Sequence, residues 1–131
     1  MVTLDISTGQ RSELLAITPQ LAALVREQGW QSGGLLVYCP HTTAGLTVNE
    51  NADPDVARDM ESFMGKLVPQ SASFRHAEGN SDAHIKTSLF GPSLMLIVED
   101  GRIRLGTWQG VYFCEWDGPR RRTLWVQFLP A

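Results

Sequence analysis

The sequence has few cysteines, no long apolar run and no long basic run, and each absence argues against a class of protein. Two cysteines, Cys39 and Cys114, lie in apolar segments, which argues against a disulfide framework and favours buried free thiols in a reducing compartment. No segment approaches the roughly 18 consecutive apolar residues of a membrane-spanning helix. The net charge of −3 argues against a nucleic-acid partner. The amino terminus lacks the basic and apolar regions of a signal peptide, so we expect a cytoplasmic protein without membrane contact.

The alternation of apolar and polar residues predicts mostly β-structure in a single domain over residues 1–131. The length of 131 residues and the hydrophobic content of 43% suffice for one buried core. A half-buried first strand is predicted at the amino terminus, and residues 35–39 read as a strand that is buried on both faces. From Ser93 onward the pattern predicts a β-meander, with a hairpin turn at 99–101.

Three helices are predicted between these strands. A capping residue followed by proline predicts helix starts at Thr18 and at Asp53. A third helix is predicted over residues 82–90, with Ile85 and Leu89 on its buried face. The fold class is therefore α+β, with largely antiparallel, sandwich-like sheets and about three helices.

The stretch from residue 39 to residue 54 carries most of the hydrogen-bonding side chains that suggest chemistry. If residues 41–50 are extended, His41 and Asn49 share one polar face, whereas Glu50 lies on the other, mostly apolar face. A solvated strand would also have a polar face. The density of imidazole, hydroxyl and amide groups instead favours the interpretation that this strand forms half of a functional site.

The three histidines, His41, His76 and His84, all lie in polar stretches rather than in apolar periodic runs. Histidine is suited to proton transfer and to metal binding near neutral pH. One interpretation is a common site, in which the imidazoles and Glu50 converge through the fold, as at a catalytic zinc ion. The other is three unrelated surface histidines, because no Cys-x-x-Cys or His-Glu-x-x-His spacing is present.

An anion site is predicted at the start of the third helix, where Asn80 or Ser81 would cap it. Free N–H groups and the positive end of the helix dipole favour phosphate there. Arg75 and Lys86 are near enough in sequence to add positive charge. The alternative is an ordinary capped helix in which Asp82 already satisfies the dipole. Arginines 120–122 follow a turn, and strand alternation allows only part of this run to face a ligand.

Several motifs together resemble the YjbQ-like family, which is catalogued as a secondary thiamine-phosphate synthase enzyme. They are Cys-Pro-His-Thr-Thr-Ala at 39–44, Asn-Glu-Asn-Ala-Asp-Pro-Asp-Val at 49–56, His-Ala-Glu-Gly-Asn-Ser-Asp-Ala-His at 76–84, Gly-Thr-Trp-Gln-Gly-Val at 106–111 and Glu-Trp-Asp-Gly-Pro-Arg at 115–120. The resemblance implies a compact α+β fold, a homotrimer and a pocket built around the histidine motifs. It also implies a divalent metal, zinc or magnesium, held by His41, His76 and His84.

The reaction implied by the resemblance joins a pyrimidine diphosphate to a thiazole phosphate and releases pyrophosphate. Under this hypothesis the predicted catalytic residues are His41, Asn49, Glu50 and His84. The predicted ligands of a small phosphorylated metabolite are Arg75, Gly79, Asn80, Ser81, Lys86 and Arg120. The sequence lacks a carboxylate-rich magnesium site, which favours a weak or secondary activity. Two alternatives use the same pocket: a module that binds a phosphorylated metabolite or a metal without turnover, and a metal-assisted hydrolase.

Overall fold

Eight strands and three helices make up the fold in a computed structural model that describes all 131 residues. In chain order the elements are β1 (Val2–Ser7), β2 (Glu13–Ala16), α1 (Thr18–Gln28), β3 (Gly33–Tyr38), β4 (Ala44–Glu50), α2 (Pro54–Leu67), α3 (Ser81–Phe90), β5 (Ser93–Glu99), β6 (Arg102–Arg104), β7 (Gln109–Glu115) and β8 (Arg121–Pro130). All strand pairs are antiparallel. The predicted α+β class with three helices is confirmed.

The strands form two sheets. The five-stranded sheet has the order β1-β8-β3-β5-β6, and the three-stranded sheet has the order β2-β7-β4. The prediction of one continuous meander is therefore wrong at β7, which leaves its sequence neighbours and pairs with β2 and β4. Only β5 and β6 form the predicted hairpin, where Asp100 and Gly101 both have positive φ, as a two-residue turn requires.

The main core lies between the two sheets. Alternate side chains of β7 point to opposite sides, so Val111 and Phe113 join this core together with Leu21 of α1. Tyr112 and Trp116 point the other way, into a second cluster that α2 and α3 cover. Each large apolar side chain that becomes fully buried contributes about 1.5–3 kcal/mol. The three-stranded sheet is thus the central layer, with the five-stranded sheet and α1 on one side and with α2 and α3 on the other.

The helix starts follow the sequence signals only in part. Asp53 caps α2 by accepting a hydrogen bond from the Asp55 N–H, as predicted. Thr18 does not cap α1, because its hydroxyl accepts from the Val111 N–H and so ties the helix to β7. Gly29 ends α1 in the left-handed conformation.

Helix α3 has a polar buried face, contrary to the prediction. Ile85 and Leu89 are exposed, and the residues that point inward include Asp82 and Lys86. Residues 35–38 also depart from the prediction, because β3 is buried on one face and leaves Tyr38 largely exposed on the other. No helix in the chain combines the length and the apolar character that crossing a membrane requires.

Candidate functional site

A polar cavity of about 690 Å³ lies at one end of the sandwich, where four connecting segments meet. These segments are the β1–β2, β3–β4, α2–α3 and β7–β8 connections. The lining contains no hydrophobic side chain and consists of Arg11, Pro40, His41, Thr42, Thr43, Gln70, His76, Glu78, Gly79, Asn80, His84, Asp117, Arg120 and Arg122. A cavity with only polar walls is suited to a small charged ligand rather than to an apolar one.

The three imidazoles line this one cavity. The rings of His76 and His84 meet edge to face, with 5.6 Å between their centroids. His76 Nε2 lies 3.8 Å from a carboxylate oxygen of Glu78, which is exposed. His76 comes from the α2–α3 connection and His84 from the first turn of α3, so the fold joins two parts of one sequence motif.

His41 is attached to the five-stranded sheet through its ring. The ladder between β3 and β8 ends with Tyr38 opposite Trp125. After this pair β3 has ended, and the backbone nitrogen of Thr123 on β8 lies 3.0 Å from His41 Nε2. The ring thus occupies the position that a further residue of β3 would take beside β8. The same Nε2 also lies 3.1 Å from the Thr123 carbonyl oxygen, so it accepts from the N–H group or donates to the carbonyl according to the tautomer of the ring. Burial, followed by the charge of Arg122, lowers the pKa of His41 and favours the neutral ring.

The predicted metal site does not fit this arrangement. No three side chains among the His, Cys, Asp and Glu residues lie close enough together to hold one ion. His41 Nε2 is already bonded to Thr123, which leaves only Nδ1 of that ring as a ligand atom. The His41, His76 and His84 donor set therefore does not form a three-histidine site for zinc or magnesium within one chain.

A buried ion-pair network supports one wall of the cavity. Asp82, which is fully buried, accepts hydrogen bonds of 3.0 and 3.1 Å from the two terminal nitrogens of Arg11. Its Oδ2 also accepts from Lys86 Nζ at 2.9 Å. Burial alone would raise the pKa of Asp82, but the hydrogen bonds from Arg11 and Lys86 outweigh it, so the pKa is lowered and the carboxylate is ionised.

A second buried pair joins the two sheets at the floor of the cavity. Arg122 of β8 donates through Nε and Nη2 to Glu115 of β7, and Nη2 also donates to the Thr43 hydroxyl at 2.9 Å. Glu115 accepts a further bond of 2.7 Å from Thr8. Burial by itself would raise the pKa of Glu115, but the hydrogen bonds from Arg122 and Thr8 outweigh this effect. The pKa of Glu115 is therefore below its usual value.

A third group of contacts orders the rim beside α3. Asp117 Oδ2 accepts from Asn80 Nδ2 at 2.8 Å and from Arg120 at 3.1 Å. The Asn80 side chain therefore does not cap α3, and it makes no hydrogen bond to the first turn of that helix. The rim thus presents a guanidinium group beside a helix start that has no side-chain cap.

Comparison with known proteins assigns the family. The family model described as "UPF0047 protein YjbQ-like" matches residues 2–131. The chain belongs to the YjbQ/UPF0047 family. It is 52% identical over 128 residues to UPF0047 protein YugU of Bacillus subtilis, which covers 97% of each chain. UPF0047 protein MJ1081 of Methanocaldococcus jannaschii is 50% identical over 125 residues, covering 95% of this chain and 91% of that protein.

A solved structure of the family agrees with this fold. The crystal structure of a YjbQ/UPF0047 protein from Clostridium acetobutylicum has a TM-score of 0.95, with 46% identity over 98% of this chain and 100% of that one. The names of these relatives state no activity, so membership in the UPF0047 family supports the predicted fold and does not support the predicted thiamine-phosphate synthase activity.

The structure separates two predicted catalytic residues of this UPF0047 protein from the histidines. Asn49 and Glu50 lie at the far end of β4, whose other end, Ala44, adjoins the cavity. At about 3.4 Å per residue, Glu50 is roughly 20 Å along the strand from Ala44. The side chain of Asn49 accepts from the Glu50 N–H, and neither residue lines the cavity within one chain.

The predicted phosphate ligands are divided between the cavity, its surroundings and the core. Gly79, Asn80 and Arg120 line the cavity. Arg75 and Ser81 instead line an adjoining crevice of about 410 Å³, which His76 and His84 also border. Lys86 is only 3% exposed and is bonded to Asp82, so it is part of the supporting network rather than of the lining.

Eight of the 14 cavity residues were missing from the sequence-based prediction, and four of these make the supporting contacts described above: Arg11, Thr43, Asp117 and Arg122. Arg11 lies 71 positions from its partner Asp82, and Thr43 lies 79 positions from Arg122. A local sequence pattern carries no information about contacts between residues so far apart along the chain. One signal was available for Arg122, because strand alternation places it on the same side as Arg120, and both do line the cavity.

Proposed function

We propose that this UPF0047 protein binds a small phosphorylated metabolite in the polar cavity and carries out acid–base chemistry on it. The observation that supports this most is the composition of the wall, which combines three guanidinium groups with three imidazoles and has no hydrophobic side chain. Guanidinium groups recognise phosphate through paired, charge-assisted hydrogen bonds. The side chains of Arg11 and Arg120 are both partly exposed, at 30% and 49%, so they can reach a ligand.

The start of α3 supports the same ligand. Gly79 and Asn80 line the cavity immediately before the helix, and the Asn80 side chain is turned to Asp117 instead of to the helix. First-turn N–H groups without a side-chain cap favour an anion, and Arg120 adds a full positive charge beside them. The carboxylate of Asp82 does not oppose this, because Arg11 in the wall and Lys86 behind it neutralise its charge.

The acid–base role falls to the edge-to-face pair of His76 and His84. His41 is the less suited of the three, since its Nε2 is engaged with Thr123. A positioned imidazole that transfers a proton typically accelerates a reaction 10²–10⁴-fold. His84 is fixed on a helix, whereas His76 is carried by a connection, so we assign the principal proton transfer to His84.

The finer proposal is a transfer of the thiamine-phosphate synthase type. In that reaction the bond between the pyrimidine methylene carbon and its diphosphate oxygen breaks, the pyrophosphate leaves with the electron pair, and the thiazole nitrogen forms the new C–N bond. Arg11 and Arg120 would stabilise the charge on the departing pyrophosphate, and His84 would donate a proton to its leaving oxygen. Asp117 and Glu78 are the carboxylates of the lining, too few for a dedicated magnesium site, so the transfer is proposed as a weak or secondary activity.

The test is titration calorimetry with pyrophosphate, followed by a turnover assay with the pyrimidine diphosphate and the thiazole phosphate. We expect Arg120→Met to weaken pyrophosphate binding roughly tenfold, because it removes one charge-assisted contact. His84→Asn should keep the affinity and lose at least 10²-fold in rate. Arg104→Met is the matched control, since Arg104 lies on β6 in an exposed pair with Glu99.

Failure of the wild-type protein to bind pyrophosphate would contradict the proposal. Binding without any turnover, in the presence of both substrates, would leave the non-catalytic binding module as the function. An equal loss of affinity in Arg120→Met and Arg104→Met would show that the interaction is a nonspecific effect of net charge.

A homotrimer is the proposed assembly. The outer face of the five-stranded sheet is apolar and uncovered in one chain, with Met95 59% and Ile97 66% exposed and with Tyr38 stacked on Trp125 at 5.9 Å. Apolar patches of this kind usually mark contacts between proteins. Light scattering should give three times the chain mass for wild type and a smaller mass for Ile97→Lys. Phe63→Lys, on the opposite helical layer, should leave the mass at three chains, and an unchanged mass in Ile97→Lys would exclude this face.

A further inference from the structure

The buried face of α3 carries two charged side chains, Asp82 and Lys86, to which the proposed function assigns no role in holding the ligand. Asp82 has no exposed surface, and Lys86, one turn later on the same helix, is 3% exposed. Both belong to the only polar stripe that α3 turns inward, in a helix whose apolar Ile85 and Leu89 face outward. Burying a charged group is strongly unfavourable unless it is paired. Ala83 and Phe90 already supply the apolar contacts of this helix, so the buried charged pair points to a role beyond packing.

The network ends at the cavity wall. Asp82 accepts hydrogen bonds of 3.0 and 3.1 Å from the two terminal nitrogens of Arg11. These two bonds fix both the position and the orientation of the planar guanidinium group. Arg11 itself stands on the β1–β2 connection, where its carbonyl oxygen accepts from the Gly118 N–H. A guanidinium group has five N–H donors, and two of them are used by Asp82. The remaining donors of Arg11 are available at the cavity.

Lys86 preserves the charge of this wall. Asp82 by itself would neutralise Arg11, but the Lys86 ammonium group shares the same carboxylate at 2.9 Å. One negative and two positive charges leave the group with a net charge of +1. The Lys86 ammonium group lies 5.7 Å from the centre of the Trp116 ring, a distance at which the ring face stabilises a cation.

We infer that Asp82 and Lys86 form a positioning pair that fixes Arg11 as the anchor for the ligand's anionic group. The inference rests on the proposed function, because it assigns how the same cavity holds a phosphoryl group. Neither Asp82 nor Lys86 touches the ligand. They act through the orientation of Arg11, which reaches the anion with its donors already aligned and loses little side-chain freedom on binding.

The test compares pyrophosphate affinities by calorimetry in a double-mutant cycle. Asp82→Asn alone would leave Lys86 as an unpaired buried charge and risks unfolding the protein. The main variant is therefore Asp82→Asn with Lys86→Met, which removes one charge of each sign and leaves the net charge of the wall unchanged. The two backgrounds are the wild-type chain and Arg11→Met, and the melting temperature of each protein is measured alongside.

We expect the Asp82→Asn/Lys86→Met pair to weaken pyrophosphate binding about tenfold in the wild-type background and less than twofold in the Arg11→Met background. A purely structural role would weaken binding equally in both backgrounds, and that result would overturn the inference. An unchanged affinity in the wild-type background would overturn it too. If wild type binds pyrophosphate and the cycle is additive, only the inference fails; if wild type does not bind, the proposed function fails with it.

Discussion

Replacing Arg122 with methionine is expected to lower the free energy of unfolding by about 3–5 kcal/mol. Arg122 and Glu115 form an ion pair between the two sheets, and the side chain of Glu115 has no solvent-exposed surface. Without Arg122, the carboxylate would keep only the bonds from Thr8 and from the main-chain N–H groups of Trp116 and Asp117. Its charge would then be buried and uncompensated. Urea denaturation followed by circular dichroism measures the loss.

The control for this prediction is removal of both charges together. Glu115→Gln combined with Arg122→Met leaves no buried charge, and we expect it to cost less than Arg122→Met alone. Arg121→Met serves as the matched surface variant, because Arg121 is the exposed neighbour on the same strand and its loss should change stability by less than about 0.5 kcal/mol. A double variant less stable than Arg122→Met would contradict the interpretation.

The same pair should also give the protein a specific response to acid. The pKa of Glu115 is lower in the folded protein than in the unfolded chain, where a glutamate titrates near 4.3. The unfolded chain therefore binds more protons below that pH, and the stabilisation is complete above it and is lost as the pH falls through the folded pKa. Denaturation of wild type should show this loss, and the Glu115→Gln/Arg122→Met variant should show a smaller one.

Gly118→Ala is expected to destabilise the protein by about 1–3 kcal/mol and to disturb the cavity. A Cβ atom at this position would lie 2.3 Å from the Gln10 carbonyl oxygen and 2.8 Å from the Glu115 side chain. The Gly118 N–H also donates to the carbonyl oxygen of Arg11 at 3.0 Å. The substitution would therefore push the β1–β2 connection outward and displace Arg11 from the cavity wall.

The comparison variant is Gly65→Ala, for which the opposite sign is expected. Gly65 lies inside α2, and a Cβ atom there would meet nothing within 4 Å. Alanine at such a helical position should stabilise the protein by about 0.4–1 kcal/mol, because it reduces the freedom of the unfolded chain. Thermal unfolding should rank Gly65→Ala above wild type and Gly118→Ala below it. Pyrophosphate affinity should fall in Gly118→Ala alone, and an unaffected affinity would argue against the displacement of Arg11.

The sequence was informative wherever burial follows a local apolar period. Alternation identified β1 and β5, a cap followed by proline identified α2, and Asp100-Gly101 identified the hairpin. It failed for α3, because the rule that apolar residues point inward does not hold for a helix that buries Asp82 and Lys86 against Arg11. A residue pattern carries no information about a partner on another element.

The functional site, like the fold, could be predicted from local patterns but not where it depends on contacts between distant residues. The three histidines could be grouped from their polar surroundings, and the cavity does hold all three. Glu50 was predicted to converge with the histidines through the fold, but an extended strand carries the chain away from His41 at more than 3 Å per residue. The arginine at position 11 was missed for the converse reason, since a connection between strands returns it to the cavity.

The attachment of His41 to β8 gives the cavity one rigid side and one adjustable side. Because the His41 ring is bonded to β8 at the end of the β3–β8 pairing, its position is fixed by the five-stranded sheet. This side of the cavity is therefore rigid. His76, in contrast, belongs to a connection between two helices that is free of regular structure. Substitutions confined to residues 69–79 can therefore reshape what the pocket accepts while the opposite wall stays in register, which makes that connection the natural place to engineer a new ligand preference.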